Sequence, residues 1–124
     1  MFDLTSTLNC GFFLFIIPAP IDPSLYYPNG HLQFDIQLVQ PASNFSSMFV
    51  EYENSSNGND AQYIFPASFI NSLSTSSFKH VSLPFSSFTT SGAQNQVDTP
   101  FVLHWGATVT GTAVILDNIE WTGY

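Results

Sequence analysis

The chain has 124 residues, enough to bury one hydrophobic core without disulfide staples and too few for two, so residues 1–124 read as a single domain. Nine Asp and Glu stand against one base, Lys79, for a formal net charge of -8; that balance excludes nucleic acid and an anionic membrane surface as partners and disfavours sulfated or uronic-acid polymers. Charged residues are only 8% of the chain and Phe, Trp and Tyr 16%, so polarity comes from neutral hydrogen-bonding groups and a neutral or cationic partner fits best.

Helix formers are sparse, β-branched and aromatic residues recur, and the pattern predicts short strands separated by polar turns. The first predicted strand, Gly11–Ile17, lies in the apolar run "NCGFFLFIIP". Asp3 and the lack of any base before this run argue against a signal peptide, and it is too short to span a membrane, so it reads as a core strand. Cys10, the one cysteine, cannot form an internal disulfide and reads as a small buried hydrophobe. A core strand so near the start suggests a domain of a larger secreted protein.

The next strand, His31–Gln40, shows the clearest period of two. Leu32, Phe34, Ile36 and Leu38 point one way, and Gln33, Asp35 and Gln37 point the other. The polar side is either solvated surface or the floor of a binding groove. In the strand Ser47–Glu53, Met48, Val50 and Tyr52 oppose Phe49, Glu51 and Glu53, which puts two acids on one face about 7 Å apart along the chain. That separation suits a glycosidase pair, although catalytic carboxylates usually come from different strands.

Further strands are predicted at Gln62–Phe65, Phe78–Leu83, Phe101–Trp105 and Thr112–Trp121, with turn clusters such as "ENSSNGND" and "TTSGAQNQVDTP" between them. The fold class that follows is all-β, a two-sheet antiparallel β-sandwich of Greek-key or jelly-roll type. No zinc spacing or nucleotide fingerprint occurs, and His31, His80 and His104 lie far apart in the chain. The last strand, "VILDNIEW", places Asp117 and Asn118 inside an otherwise apolar run and raises the question of what they do there.

Three segments, "GHLQFDIQLVQP", "FKHVSLPFSSF" and "GTAVILDNIEW", occur in an order and at a spacing that resembles the β-jelly-roll, galactose-binding-like carbohydrate-binding modules of secreted glucanases, agarases and related enzymes. The resemblance covers residues 30–121. Phe78 stands where the family pattern has Trp, and the segment before Phe12 departs from it. The resemblance implies a jelly roll and a noncatalytic module that binds a polysaccharide or oligosaccharide. By analogy the ligand is a neutral β-glucan, and an attached glycoside hydrolase is the partner domain.

It also implies that Asp117 ligates a structural calcium (Ca2+), with backbone carbonyls completing an oxygen cage; the alternative is an Asp bonded to nearby amides. Sugars stack on aromatic rings and pair with amides and carboxylates. The candidate ligand residues are therefore Trp105, His104, Tyr52, Tyr63, Tyr27, Gln33, Asp35, Gln37 and Asn59, with Trp105 foremost because "LHWGAT" places it before Gly106 at a predicted strand end. A small glycosidase or lyase using Glu51 and Glu53 or Asp35, and a structural or adhesive sandwich, are the competing readings.

Overall fold

The computed structural model describes residues 2–5, 9–14, 21–26, 29–54, 56–92 and 96–123, with the backbone course alone over 2–14. Nine strands lie within these: β1 (Phe2–Thr5), β2 (Asn9–Leu14), β3 (His31–Leu38), β4 (Phe45–Asn54), β5 (Asn59–Ile64), β6 (Lys79–Pro84), β7 (Thr89–Thr90), β8 (Thr99–Ala107) and β9 (Ala113–Thr122). They form two antiparallel sheets, one in the order β1-β9-β3-β6 and the other β2-β8-β4-β5-β7. The chain crosses repeatedly between the sheets, as expected for a jelly-roll sandwich.

The core lies between the sheets. From one side come Leu32, Phe34, Ile36 and Leu38 of β3, Val81 and Leu83 of β6, and Val114 and Leu116 of β9; from the other come Met48, Val50 and Tyr52 of β4, Ala61 of β5, and Phe101, Leu103 and Trp105 of β8. All are buried, and the alternation read for β3 and β4 is the one observed. A one-turn helix, α1 (Ala67–Asn71), sends Ile70 into this core. It follows Pro66, which fits the start of a helix but not a continuing strand. Among the described residues no helix is long and apolar enough to cross a membrane.

Several boundaries differ from the expected ones. The predicted Gly11–Ile17 strand is β2, which begins at Asn9 and is described to Leu14, residues 15–17 lying outside the described residues. Asn59 and Asp60 were assigned to a turn, but they already pair with Asn54 and Glu53. The turn itself is tight because Gly58 takes φ 71°, a left-handed conformation that glycine adopts without strain. The strands β1 and β7 have no counterpart in the sequence reading. Both are short edge strands, too brief to show a period, and their partners β9 and β5 supply the pairing.

Candidate functional site

Two of the foremost candidates from the sequence are core residues. Trp105 is 2% exposed and sits opposite Met48 in β8, a central strand between β2 and β4. The predicted strand end was misplaced: β8 runs on to Ala107, so Trp105 points inward in mid-sheet. Tyr52 is fully buried, pairs across the sheet with Ala61, and packs edge-on against Phe85 and Trp121. Neither can offer a ring to a sugar. Tyr27 lies outside the described residues.

The outward side of the four-stranded sheet carries Gln33, Asp35 and Gln37, as read from the sequence. Each already has a hydrogen-bond partner on neighbouring segments. The Gln33 amide donates to Thr122 Oγ1 at 3.1 Å and the Gln37 amide to the Thr75 carbonyl at 3.0 Å. Asp35 accepts from His80 Nδ1 at 2.7 Å and from the Asn118 amide at 2.6 Å. These two hydrogen bonds, Asn118 first and His80 second, hold its carboxyl below the ordinary aspartate range.

Gln33 pairs with Glu120 but Asp35 pairs with Asp117, so β9 carries one extra residue, and Asn118 takes φ 50°. This is a β-bulge with Asn in the left-handed position, which Asn tolerates better than most residues. Before it Val114 and Leu116 face inward; after it Ile119 and Trp121 pack on the core. The bulge therefore shifts the inward phase by one residue and leaves Asp117 and Asn118 outside. Asp117 accepts the Asn118 backbone N–H at 2.9 Å.

The outward side of the five-stranded sheet is different. Cross-strand pairing puts Phe49, His104 and Ile64 in one row and Glu51, Val102 and Gln62 in the next, followed by Glu53 and Asp60. The His104 ring stacks on Phe49, with centroids 4.5 Å apart and 18° between planes. Glu51 Oε1 and His104 Nε2 are 2.8 Å apart, and the Gln62 amide donates to Glu51 Oε2 at 3.4 Å. The side chain of Glu51 is only 7% exposed and that of His104 29%.

Glu53 projects beside Glu51, as the sequence alternation implied. Burial, then the hydrogen bond and charge of Glu51, and then the charge of Asp60, push the Glu53 carboxyl up to about 7. For Glu51, burial pushes upward, but the hydrogen bonds from His104, Glu53 and Gln62 and the nearby imidazole charge outweigh it, leaving that carboxyl below the ordinary glutamate range. The pair thus shares a proton near neutrality. Glu51, Glu53 and His104 form a group able to hold a metal ion, with one ligand atom from each lying within 4.8 Å of the others.

At the β5 edge of this sheet a groove of about 350 Å³ is lined by Gln62, Tyr63, Ile64, Ser87 and Thr89. β7 pairs with β5 at Ala61 and Gln62 and Ser91 continues the bonding at Asp60, so the groove lies toward the Tyr63–Ile64 end of β5. Ile64 is 68% exposed. Tyr63 is half-buried against Phe65 and Phe88. Asn59 is half-buried at the turn end of β5, with Gly92 leaving room for its side chain. The structure thus brings His104, Tyr63 and Asn59 to the five-stranded sheet and Gln33, Asp35 and Gln37 to the other.

Sequence reasoning did not assign Phe49, Gln62 or Ile64 to a site. The alternation in "FVEYE" already put Phe49 on the side of the acids, whereas Gln62 and Ile64 follow only from the register of β5 against β4. A second depression, about 270 Å³, is lined by Tyr26, Trp121, Glu120, Ile119, Pro100, Phe101 and Ile21. The Trp121 indole donates to the Pro100 carbonyl at 3.0 Å there.

The fold is similar to that of solved carbohydrate-binding modules. One solved family 30 carbohydrate-binding module superposes with a TM-score of 0.69 at 17% identity, covering 98% of this chain and 75% of that one. The family 30 module of the cellulosomal cellulase Cel9D-Cel44B of Clostridium thermocellum gives 0.67 at 17% identity, over 96% of this chain and 70% of the other. A further family 30 structure gives 0.63 at 20% identity, over 93% and 60%. At these identities the likeness is one of fold. No protein-family model matches the chain, and no curated protein matches its sequence.

Proposed function

We propose that the domain binds a neutral polysaccharide without cleaving it, and that it holds an attached glycoside hydrolase on its substrate outside the cell. The observation that carries this reading is the superposition on family 30 carbohydrate-binding modules over nearly the whole chain. A β-glucan is the first ligand to try, because one of those modules comes from a cellulase. The net charge of -8 favours an uncharged polymer over an anionic one.

The binding surface in this reading is the outward side of the five-stranded sheet and its β5 edge. It offers what a sugar chain needs, an accessible apolar row from Phe49 and His104 to Ile64, flanked by the Gln62 amide and the Ser87 and Thr89 hydroxyls of the groove. The opposite outward face instead carries the polar row Gln33, Asp35 and Gln37, bonded to Thr122, to His80 and Asn118, and to the Thr75 carbonyl. Against catalysis, Glu51 and Glu53 project from one strand two residues apart, and the Glu51 carboxylate is already held by His104 at 2.8 Å. A retaining glycosidase keeps its carboxyl groups about 5–5.5 Å apart so that the anomeric carbon fits between them.

Affinity electrophoresis through gels containing different neutral polysaccharides tests the reading. Retardation by at least one β-glucan, with no reducing ends released, is the expected result. Release of reducing ends that Glu51→Gln abolishes would replace the binding reading with an enzymatic one.

A structural calcium at Asp117 belongs to the same proposal. It rests on the resemblance of the closing strand, whose Asp117 lies beside the bulge. Calcium should raise the melting temperature of the chelator-treated protein but not that of Asp117→Asn.

A further inference from the structure

Glu51 and Glu53 put two carboxylates on the outward side of one sheet, with Asp60 opposite Glu53 as a third acid. Yet the chain's one Lys or Arg, Lys79, stands exposed at the start of β6 in the other sheet. No basic side chain balances this group except the imidazole of His104. Glu51 and Glu53 come from one strand at positions i and i+2 and His104 from the adjacent strand β8, so rigid sheet backbone holds all three. Stacking on Phe49 fixes the plane of the His104 ring.

We propose that Glu51, Glu53 and His104 bind one divalent first-row transition-metal ion, zinc in the first place. Zinc takes imidazole nitrogen and carboxylate oxygen at about 2.0–2.2 Å, so tetrahedral ligand atoms lie about 3.4 Å apart. The three donor atoms here already lie within 4.8 Å of one another, and the Glu51–His104 pair at 2.8 Å. Small side-chain rotations close the set, and the half-buried Glu53 has the freedom to make them.

The donor set also sorts the metals. Calcium and magnesium take oxygen ligands, and imidazole suits zinc, copper, nickel and iron. Three protein ligands leave a fourth position open to water or to a hydroxyl of a bound molecule. This site is separate from Asp117 on the other sheet, and it does not depend on the glycan reading.

The test is calorimetric titration of metal-stripped protein with zinc, in the absence of any glycan. Wild type is compared with Glu53→Gln, His104→Gln and, as a control for the other carboxylate–histidine pair, Asp35→Asn. Melting curves of the four stripped proteins establish that each is folded. The expected result is one zinc per chain in wild type and Asp35→Asn. The affinity should fall roughly tenfold or more in Glu53→Gln and His104→Gln, since even loss of a residue that only orients a ligand costs about 10–100-fold. If His104→Gln does not fold, Glu53→Gln alone decides. No saturable binding to wild type, or wild-type affinity in a folded Glu53→Gln, would overturn the proposal.

Discussion

The two outward faces of the sandwich each hold a cross-strand carboxylate–histidine pair of nearly the same length, Asp35–His80 at 2.7 Å and Glu51–His104 at 2.8 Å. Their surroundings separate them. His80 is 58% exposed and Asp35 20%, against 29% for His104 and 7% for Glu51. Asp35 has Asn118 as a second donor and no second acid bonded to it, whereas Glu51 has Glu53 against it. A wet, satisfied pair is ordinary surface chemistry. A buried pair crowded by a second acid is kept at a cost to the fold, and that is why we propose the five-stranded face as the functional one.

The largest effect is expected on the inner side of the strand that carries His104. Trp105→Ala should cost about 3–5 kcal/mol in chemical denaturation, because it removes a buried indole. A cost under about 1 kcal/mol would put Trp105 back among surface candidates.

His104→Ala should cost about 2–3 kcal/mol, because it strips a buried carboxylate of its shortest hydrogen bond. His80→Ala, on the exposed pair, should stay within about 1 kcal/mol. Equal costs for the two would erase the distinction between the faces.

The pH dependence is set by Glu53. Its folded-state value of about 7 lies above the ordinary 4.5, so the folded protein binds that proton more tightly than the unfolded chain. The resulting stability is fully present below about 4.5 and is lost as the pH rises through about 7. Glu51 acts in the opposite sense. Its carboxyl is lowered, so its contribution is present above 4.5 and is lost on acidification. The melting temperature should therefore fall between pH 5 and pH 8 in wild type and change less in Glu53→Gln. An identical slope in both would remove the shared proton from the account.

The smallest effect concerns the bulge. Asn118→Gly should be nearly neutral in backbone strain, while Asn118→Ala should lose about 1 kcal/mol at its left-handed φ of 50°. Both variants also remove the amide bond to Asp35, so the difference between them isolates the backbone term.

Much of this architecture was legible in the chain. The alternation in "HLQFDIQL" and "SMFVEYE" set the inward residues of β3 and β4 and put Glu51 and Glu53 on one face. The bulge was also written in the sequence, in the change of spacing from Val114 and Leu116 to Ile119 and Trp121. What could not be read was which strands are central. Trp105 looked like a strand-end platform because its burial depends on β2 and β4 lying on either side of β8. The approach of His104 to Glu51 likewise depends on the register between β8 and β4, 53 residues apart in the chain, and no local pattern reports that.

The most direct measurement is a nuclear magnetic resonance titration of the labelled 13.7 kDa domain with a soluble oligosaccharide of the β-glucan that retards it in the gel assay. The account predicts saturable shifts confined to the five-stranded face, at Phe49, Gln62, Ile64, Thr89 and His104. Shifts centred on Gln33, Asp35 and Gln37, or on Tyr26 and Trp121, would contradict it.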